Sequence, residues 1–528
     1  MEKKLSGYPI LSCHEAAKLE ASILGDETAE WQAMKKAGVG IAKALIQDYQ
    51  EFSPLPENLN VLALVGKGNN GGDALIACNQ LLKDFPRASV TLFFTSHSDQ
   101  LKPLALRSFE LLKGRVACHH VTTVADVSSI HAMLDRVASD RDIDICIDGL
   151  LGMSFRAPIR KPESTLIRAV NSFERIGLRA AVDLPSGKGD VSDELFFVAD
   201  FTYATGIPKK LLFEGDADCG RIRVIDLGFQ ATPEGLASGI NESVLENNLL
   251  LSMRALRPAN ANKYTFGHAF VLGGSVNMPG ALLMAVQAAL RSGVGLVTAF
   301  APASVASALA AQAPEAMWVP WPENSEGHLD PKSFHLLADK LDRATVVLVG
   351  PGMGRHKDTI ELGRKVIEQV NLPVILDADA LQSPIMELIL ERTNIWGPVV
   401  LTPHTGEFAR IAVIEKGAAS NGALREFCRY NNVLTVLKGP YTRICDGVNV
   451  WYNVLGGGPV LARAGSGDLL AGLIAGLVAQ GNVEIRVALA RAVMLHAQAA
   501  QLLAQQKGQA FVHTTQLLEY LPDVLRKR

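Results

Sequence analysis

Two doubly wound α/β domains in tandem are what this sequence predicts. Short, near-continuous apolar runs recur along the chain, as expected of strands buried on both faces of a parallel sheet. Longer helical patterns fall between most of them. Aspartate- and glycine-rich loops close several runs, where an open sheet binds its ligands.

In the first half the strand candidates are 61–65, 90–94, 143–149, 179–185, 200–205 and 221–228. The pattern breaks over 229–245, which is small, polar and turn-forming, with no clear strand. A second series follows at 268–274, 295–301, 345–352, 373–381, 398–404 and 433–439. It closes with a hairpin turning at Asp446-Gly447. This divides the chain into a domain over 1–235 and another over 236–528. No short-period repeat is present.

Bulk properties narrow the function. The 528 residues are 48% hydrophobic and 20% charged, an ordinary globular mix. A net charge of -3 points to no nucleic-acid partner and no anionic membrane. Seven scattered cysteines without a C-x-x-C pair read as reduced core residues. The first twenty residues lack a signal-peptide core. The longest clean apolar stretch, Leu469 to Ala479, is too short to span a bilayer. A cytoplasmic enzyme acting on small molecules, as a homo-oligomer, is expected.

Gly66, Gly68 and Gly71 in VGKGNNGGDAL satisfy G-x-G-x-x-G. The acidic residue that a dinucleotide fingerprint needs after its second strand is missing, since Asp99 comes late. No Lys-Ser/Thr follows for a Walker loop. Asn69 and Asn70 instead crowd the turn with Gly71, Gly72 and Asp73, at the start of a helix. Asp148 ends one strand run, and Asp183 ends another before Leu-Pro-Ser186-Gly187. Each aspartate alone also fits a helix cap. Together they supply carboxylate, amide and hydroxyl oxygens suited to a hard cation.

NNGGD, the Asp148 loop with Gly152-Met153-Ser154, and DLPSG resemble the NAD(P)H-hydrate epimerase family over residues 10–230. The resemblance implies a Rossmann-like three-layer sandwich. It implies K⁺ on Asn70, Asp148 and Ser186. Hydrated NADH or NADPH would contact Asn69, Asn70, Gly71, Gly72, Asp73, the loop Gly152, Met153, Ser154, Phe155, Arg156, Ala157 and Pro158, and a catalytic Asp183. This chain departs from the family at Ala74, at Gly152-Met153-Ser154 and at Lys188-Gly189-Asp190.

In the second half, ARAGSGDLLAG sets Gly465, Ser466 and Gly467 at a helix start beside Asp468. Such amides can hold moving phosphoryl charge while the carboxylate takes a hydroxyl proton. A glycine turn capped by Asp is the bland alternative. The motif resembles the ribokinase-like superfamily. Loops at Asn262–Tyr264, Gly350–Gly354, Asp377–Leu381, Thr402–Glu407 and Lys438–Thr442 narrow the resemblance to its NAD(P)H-hydrate dehydratase branch, over 250–520. It implies hydrate contacts at Ala281, Gly352, His404 and a catalytic Asp468. It implies ADP, with Mg²⁺, on Lys438, Gly439, Pro440, Tyr441, Thr442, Gly465, Ser466 and Gly467. Taken alone, His404 also reads as a helix cap or core histidine. Arg463 stands where a small residue is expected. A small-molecule kinase and a non-catalytic nucleotide sensor are the competing readings.

Overall fold

The computed structural model describes residues 5, 7–214, 219–229, 240–392, 396–415 and 417–526. They fall into two compact units, Tyr8–Ile240 and Met1–Gly7 with Asn241–Arg528. The expected division at 235/236 lies outside the described residues. Leu5 and Gly7 group with the second unit rather than with the domain over 1–235.

The strands are β1 (Gly7–Pro9), β2 (Asn60–Val65), β3 (Ser89–Phe94), β4 (Ala117–His120), β5 (Ile143–Gly149), β6 (Ile176–Val182), β7 (Phe201–Thr205), β8 (Arg221–Ile225) and β9 (Glu242–Leu245). They continue as β10 (His268–Leu272), β11 (Leu296–Pro302), β12 (Met317–Trp321), β13 (Val346–Val349), β14 (Val374–Leu376), β15 (Val399–Leu401), β16 (Val433–Leu437), β17 (Thr442–Cys445) and β18 (Val450–Asn453). The stretch 229–245, expected to hold no strand, contains β9, which pairs in parallel with β18.

The first unit is a parallel seven-stranded sheet in the order β4-β3-β2-β5-β6-β7-β8. Every residue of β2 is buried. Alternation along it divides the core. Val61, Ala63 and Val65 pack with Ile41, Leu45 and Leu75 on one face. Leu62 and Leu64 pack with Ile130, Leu134 and Leu166 on the other. Helices Glu27–Tyr49 and Asn69–Asp84 cover the first face, and Val127–Val137 and Glu163–Ser172 the second. This is a three-layer, doubly wound arrangement. Strand order reverses direction between β2 and β5, so the crevice at their carboxyl ends is the natural ligand position.

The second unit's sheet runs β1-β9-β18-β17-β16-β15-β14-β13-β10-β11-β12. β10 to β16 are mutually parallel, and β17 pairs antiparallel with β16 and β18. The β17–β18 hairpin turns at Asp446–Asn449, where Asp446 Oδ1 accepts the Val448 and Asn449 amides at 3.0 and 2.7 Å. Direction reverses between β10 and β13. Helix Ser466–Ala479 is almost wholly buried and packs on helix Pro279–Arg291. Gly472 permits that approach, because a Cβ there would stand 2.1 Å from Ala285 O. Helix Ile485–Lys507 has the length and mean hydropathy, 1.3, of a membrane span, but 72% of its apolar window is buried in this unit. It is a core helix.

Candidate active sites

In the first unit, three loops converge where strand order reverses. After β2, Gly66 N donates to Gly149 O at 3.1 Å. A side chain at Gly66 would strike Leu150 O, 1.9 Å from its Cβ. That contact explains the glycine better than a pyrophosphate does. Asn69 opens helix Asn69–Asp84, and Asn70 Nδ2 reaches Leu151 O and Val182 O, both at 2.9 Å. Ser186 donates through Oγ to Asp148 Oδ1 and through N to Asp148 Oδ2, each at 2.7 Å. Leu151 N donates to Ser186 Oγ at 2.9 Å. Asn70, Asp148 and Ser186 are therefore neighbours. Asp148 is wholly buried, and desolvation lifts its carboxyl to about 6 against the pull of its hydrogen bonds. A buried carboxylate without a basic partner, among hydroxyl and amide oxygens, fits a monovalent cation.

Asp183 follows β6 with φ 63°, the left-handed region that a branched side chain rarely adopts. Three donors hold its Oδ1: Lys209 Nζ at 2.6 Å, Thr205 Oγ1 at 3.0 Å and Thr205 N at 3.1 Å. This leaves Oδ2 for a ligand. Lys209 is fully buried, and Asp183 keeps it charged against desolvation. Asp73 is buried with no hydrogen-bond partner among the described residues, and desolvation, then Asp183 and Glu20, raise its pKa well above the carboxylate range. Lys209, Thr205 and Glu20 escaped the sequence reading. The loop after DFTYAT held the signal, since it ends a strand next to the one that carries Asp183.

The departures have local causes. Ala74 is buried, and a Cβ on Gly149 would meet its methyl at 2.7 Å. It seals the helix onto β5. Met153 is half-buried against Ala16, Ile207 and Phe229, while Ser154 and Arg156–Pro158 are exposed. Asp190 accepts the Cys13 and His14 amides at 2.7 and 3.0 Å, tying down helix Cys13–Ile23.

In the second unit, the loops after β14 and β16 face the start of helix Ser466–Ala479. Gly352, at φ 67°, packs against Met278 O and Ala281, 2.4 and 3.0 Å from where its Cβ would be. Gly354 N donates to Asp379 Oδ2 at 2.9 Å, joining the Gly350–Gly354 and Asp377–Leu381 loops. His328, absent from the sequence reading, bonds Met353 O at 3.0 Å through Nδ1 and stacks on His356.

Lys438 Nζ binds Asp377 Oδ1 at 2.9 Å and lies 3.1 Å from where a Gly467 Cβ would stand. Its charge thus faces the helix's positive end, a strong setting for an anion. Asp468 stands in the first turn. Desolvation first, then Asp377 and Asp379, raise its pKa to about 7, with Lys438 opposing. That is the value a general base at neutral pH needs. Among the described residues no cluster of three or more His, Cys, Asp or Glu could hold a metal. A Mg²⁺ ion here would take one or two carboxylates with phosphate oxygens, its usual habit.

Two expectations change. Ser466 does not offer its amide freely, because it donates to Arg463 O at 3.3 Å, and its buried hydroxyl faces His496 Nε2 at 3.4 Å. Gly467 and Asp468 amides remain for an anion. Arg463 turns to the carbonyls of Val512 and Gln509 at 2.9 and 3.0 Å, latching that loop. His404 is a helix cap. Its Nδ1 accepts the Gly406 and Glu407 amides at 3.0 and 3.3 Å, which puts the neutral ring's proton on Nε2. The side chain is 58% exposed, and its Nε2 lies 3.5 Å from Glu407 Oε1.

Residues 269–523 match the profile of the NAD(P)H-hydrate dehydratase family. Residues 30–211 match that of the YjeF-related protein N-terminus. The bifunctional NAD(P)H-hydrate repair enzyme of Salinibacter ruber is 33% identical over 514 residues, 94% of this chain and 92% of the relative. That of Moorella thermoacetica is 31% identical over 512 residues, 93% and 92% of the two chains. The chain belongs to the bifunctional NAD(P)H-hydrate repair enzyme family. Both halves of the resemblance read from the sequence meet in these relatives, so the kinase reading falls behind. Among solved structures, the ADP/ATP-dependent NAD(P)H-hydrate dehydratase of Bacillus subtilis, co-crystallised with ATP and Mg²⁺, is 28% identical, with TM-score 0.46 over 55% of this chain and 99% of that one.

Proposed function

We propose that this repair enzyme epimerises hydrated NADH and NADPH at the Asp183 site and dehydrates them, at the expense of ADP, at the Asp468 site. The observation that carries the reading is Asp468 at a helix start, its pKa raised to about 7 beside Lys438.

In the second unit the hydrate lies over Ala281, Gly352 and His404, with its ring hydroxyl toward Asp468. Asp468 accepts the hydroxyl proton. The Gly467 amide and Lys438 hold the phosphoryl group as it moves from ADP to that oxygen. AMP is left from ADP; the phosphorylated ring carbon then loses phosphate with its C–O electron pair, and the neighbouring carbon gives up a proton, so that its C–H pair restores the double bond of the reduced ring. Lys438 through Thr442 carry the nucleotide, and Gly465 at φ 86° sets the turn that faces its phosphates. Mg²⁺ bound with the nucleotide would neutralise phosphate charge.

In the first unit Asn69–Asp73 and Gly152–Pro158 grip the hydrate, and Asp183 Oδ2 faces its reacting centre. K⁺ on Asn70, Asp148 and Ser186 would fix the turns that present them. None of the seven cysteines is held in a disulfide, which supports placement in the cytoplasm. Self-association into a homo-oligomer would cover fully exposed apolar side chains such as Leu256 and Phe511, and light scattering tests it.

The decisive experiment follows reduced-nicotinamide absorbance as the chain meets both epimers of hydrated NADH with ADP, Mg²⁺ and K⁺. Complete recovery, faster than unaided epimerisation, is expected. Recovery that stalls at one epimer would remove the first activity, and a retained phosphorylated product would favour the kinase. Asp468→Asn is expected to lower dehydration by about 10²–10⁴-fold with nucleotide binding intact.

A further inference from the structure

Helix Cys13–Ile23 brings to the Asp183 site a carboxylate that the chemistry above leaves without a role. The helix is fixed at its start by a Ser12–Glu15 capping box and by Asp190. About two turns on, Glu20 Oε1 lies 3.7 Å from Lys209 Nζ. Lys209 Nζ in turn bonds Asp183 Oδ1 at 2.6 Å and Thr205 O at 3.4 Å. The three side chains form a graded line. Glu20 is 20% exposed, Lys209 0% and Asp183 3%. Glu20 is the most exposed of the three.

The charge count at this line does not balance as a structural ion pair would. Lys209 already neutralises Asp183. Glu20 adds a second carboxylate to the same ammonium, and Asp73 a third close by. Two buried acids and the partly exposed Glu20 face one base, so the charge count favours a proton held within the cluster. Burial, with Asp183 adding to it and Lys209 opposing, puts the Glu20 carboxyl at about 7.

We propose that Glu20 and Lys209 form the proton relay of the first unit, carrying a proton between solvent and Asp183 during epimerisation. The proposal rests on the reading that Asp183 faces the hydrate. Epimerisation breaks the ring C–O bond. A proton from the Lys209–Asp183 pair goes to the hydroxyl, which leaves as water, while the ring-nitrogen lone pair forms C=N. Water then adds to the opposite face, its electron pair makes the new C–O bond, and its extra proton returns to Asp183. Glu20 restores the proton on Lys209 when it is lost. No oxidant or reductant is consumed.

The test uses the full chain with one purified epimer and no nucleotide, so that the second unit is idle. Interconversion is followed by chromatography across pH 5–9, a range spanning ordinary carboxylate and histidine titration. The wild-type rate is expected to fall as pH rises through about 7, where Glu20 loses its proton. Glu20→Gln is expected to lose turnover about tenfold or more, to keep its KM, and to lose that alkaline limb. Glu20→Asp, which keeps a titrating group, should retain the limb and part of the rate, and it carries the test if Glu20→Gln does not fold. Wild-type rate and profile in Glu20→Gln overturns the relay, as does a rise in KM with unchanged turnover. A wild type that does not epimerise overturns instead the assignment of this site.

Discussion

Asp468 feels Asp377, Asp379 and Lys438 at once, and its titration should report on all of them. As a general base it works deprotonated, so dehydration is expected to fall as pH drops below about 7. Asp377→Asn removes a repulsion and releases Lys438, which it now binds at 2.9 Å. Both changes favour the carboxylate, so the acidic limb of kcat should move to lower pH. An unmoved limb in a pH–rate series would assign it to another group. The residues behind this behaviour were legible where a carboxylate ends a strand run or follows a glycine turn. Lys209, Glu20 and His328 were not: GIPKK follows a strand run, but nothing local says which of its lysines turns inward, or marks out a glutamate on an amphipathic helix. Their meaning comes from contacts far along the chain, such as Lys209 with Asp183.

Helix Ser466–Ala479 carries Asp468 at one end and packs through Gly472 along its length. Gly472→Ala would press a methyl into the Ala285 backbone, which cannot turn aside as a side chain would. A loss of about 1–3 kcal/mol is expected from denaturant unfolding. The neighbouring helix Ile485–Lys507 holds His496, buried and facing Ser466, with burial lowering its pKa to about 4. Its unfolded value is 6.5. The unfolded chain therefore takes up a proton that the folded one refuses, and stability is lost as pH falls from 6.5 towards 4. The share from this group reaches about 3 kcal/mol. Thermal unfolding of His496→Gln should show a flatter acid dependence than wild type.

The elements that sequence reading missed share a position. β4 and β12 are sheet edges, β1 is another, and β9 lies next to it. Interior strands are buried on both faces and write themselves as apolar runs. The four residues of β4 are all exposed, and β12 tolerates Pro320, as an edge strand can. The sites were more legible than the edges, since their loops follow interior strands.

At the scale of the whole molecule, the sequence order of the two units is not linear. Leu5 is buried with Leu245 and Leu250 in the second unit's core, and its carbonyl accepts from Trp451 Nε1 at 3.3 Å. Leu5→Ala is expected to destabilise the second unit by about 2–5 kcal/mol and to lower the temperature at which dehydration is lost. Epimerisation should keep its wild-type heat tolerance. Equal heat sensitivity of the two activities would contradict the grouping.

This discontinuity bears on biosynthesis. The partners of Leu5 and Gly7, among them Val244 and Trp451, emerge from the ribosome only after the whole intervening unit has been made. At about 5–20 residues per second that delay is on the order of ten seconds to a minute or more. Throughout it Leu5 and Gly7 await these partners while the Tyr8–Ile240 unit completes its own sheet. The second unit is sealed last, by residues translated before the whole of the first unit.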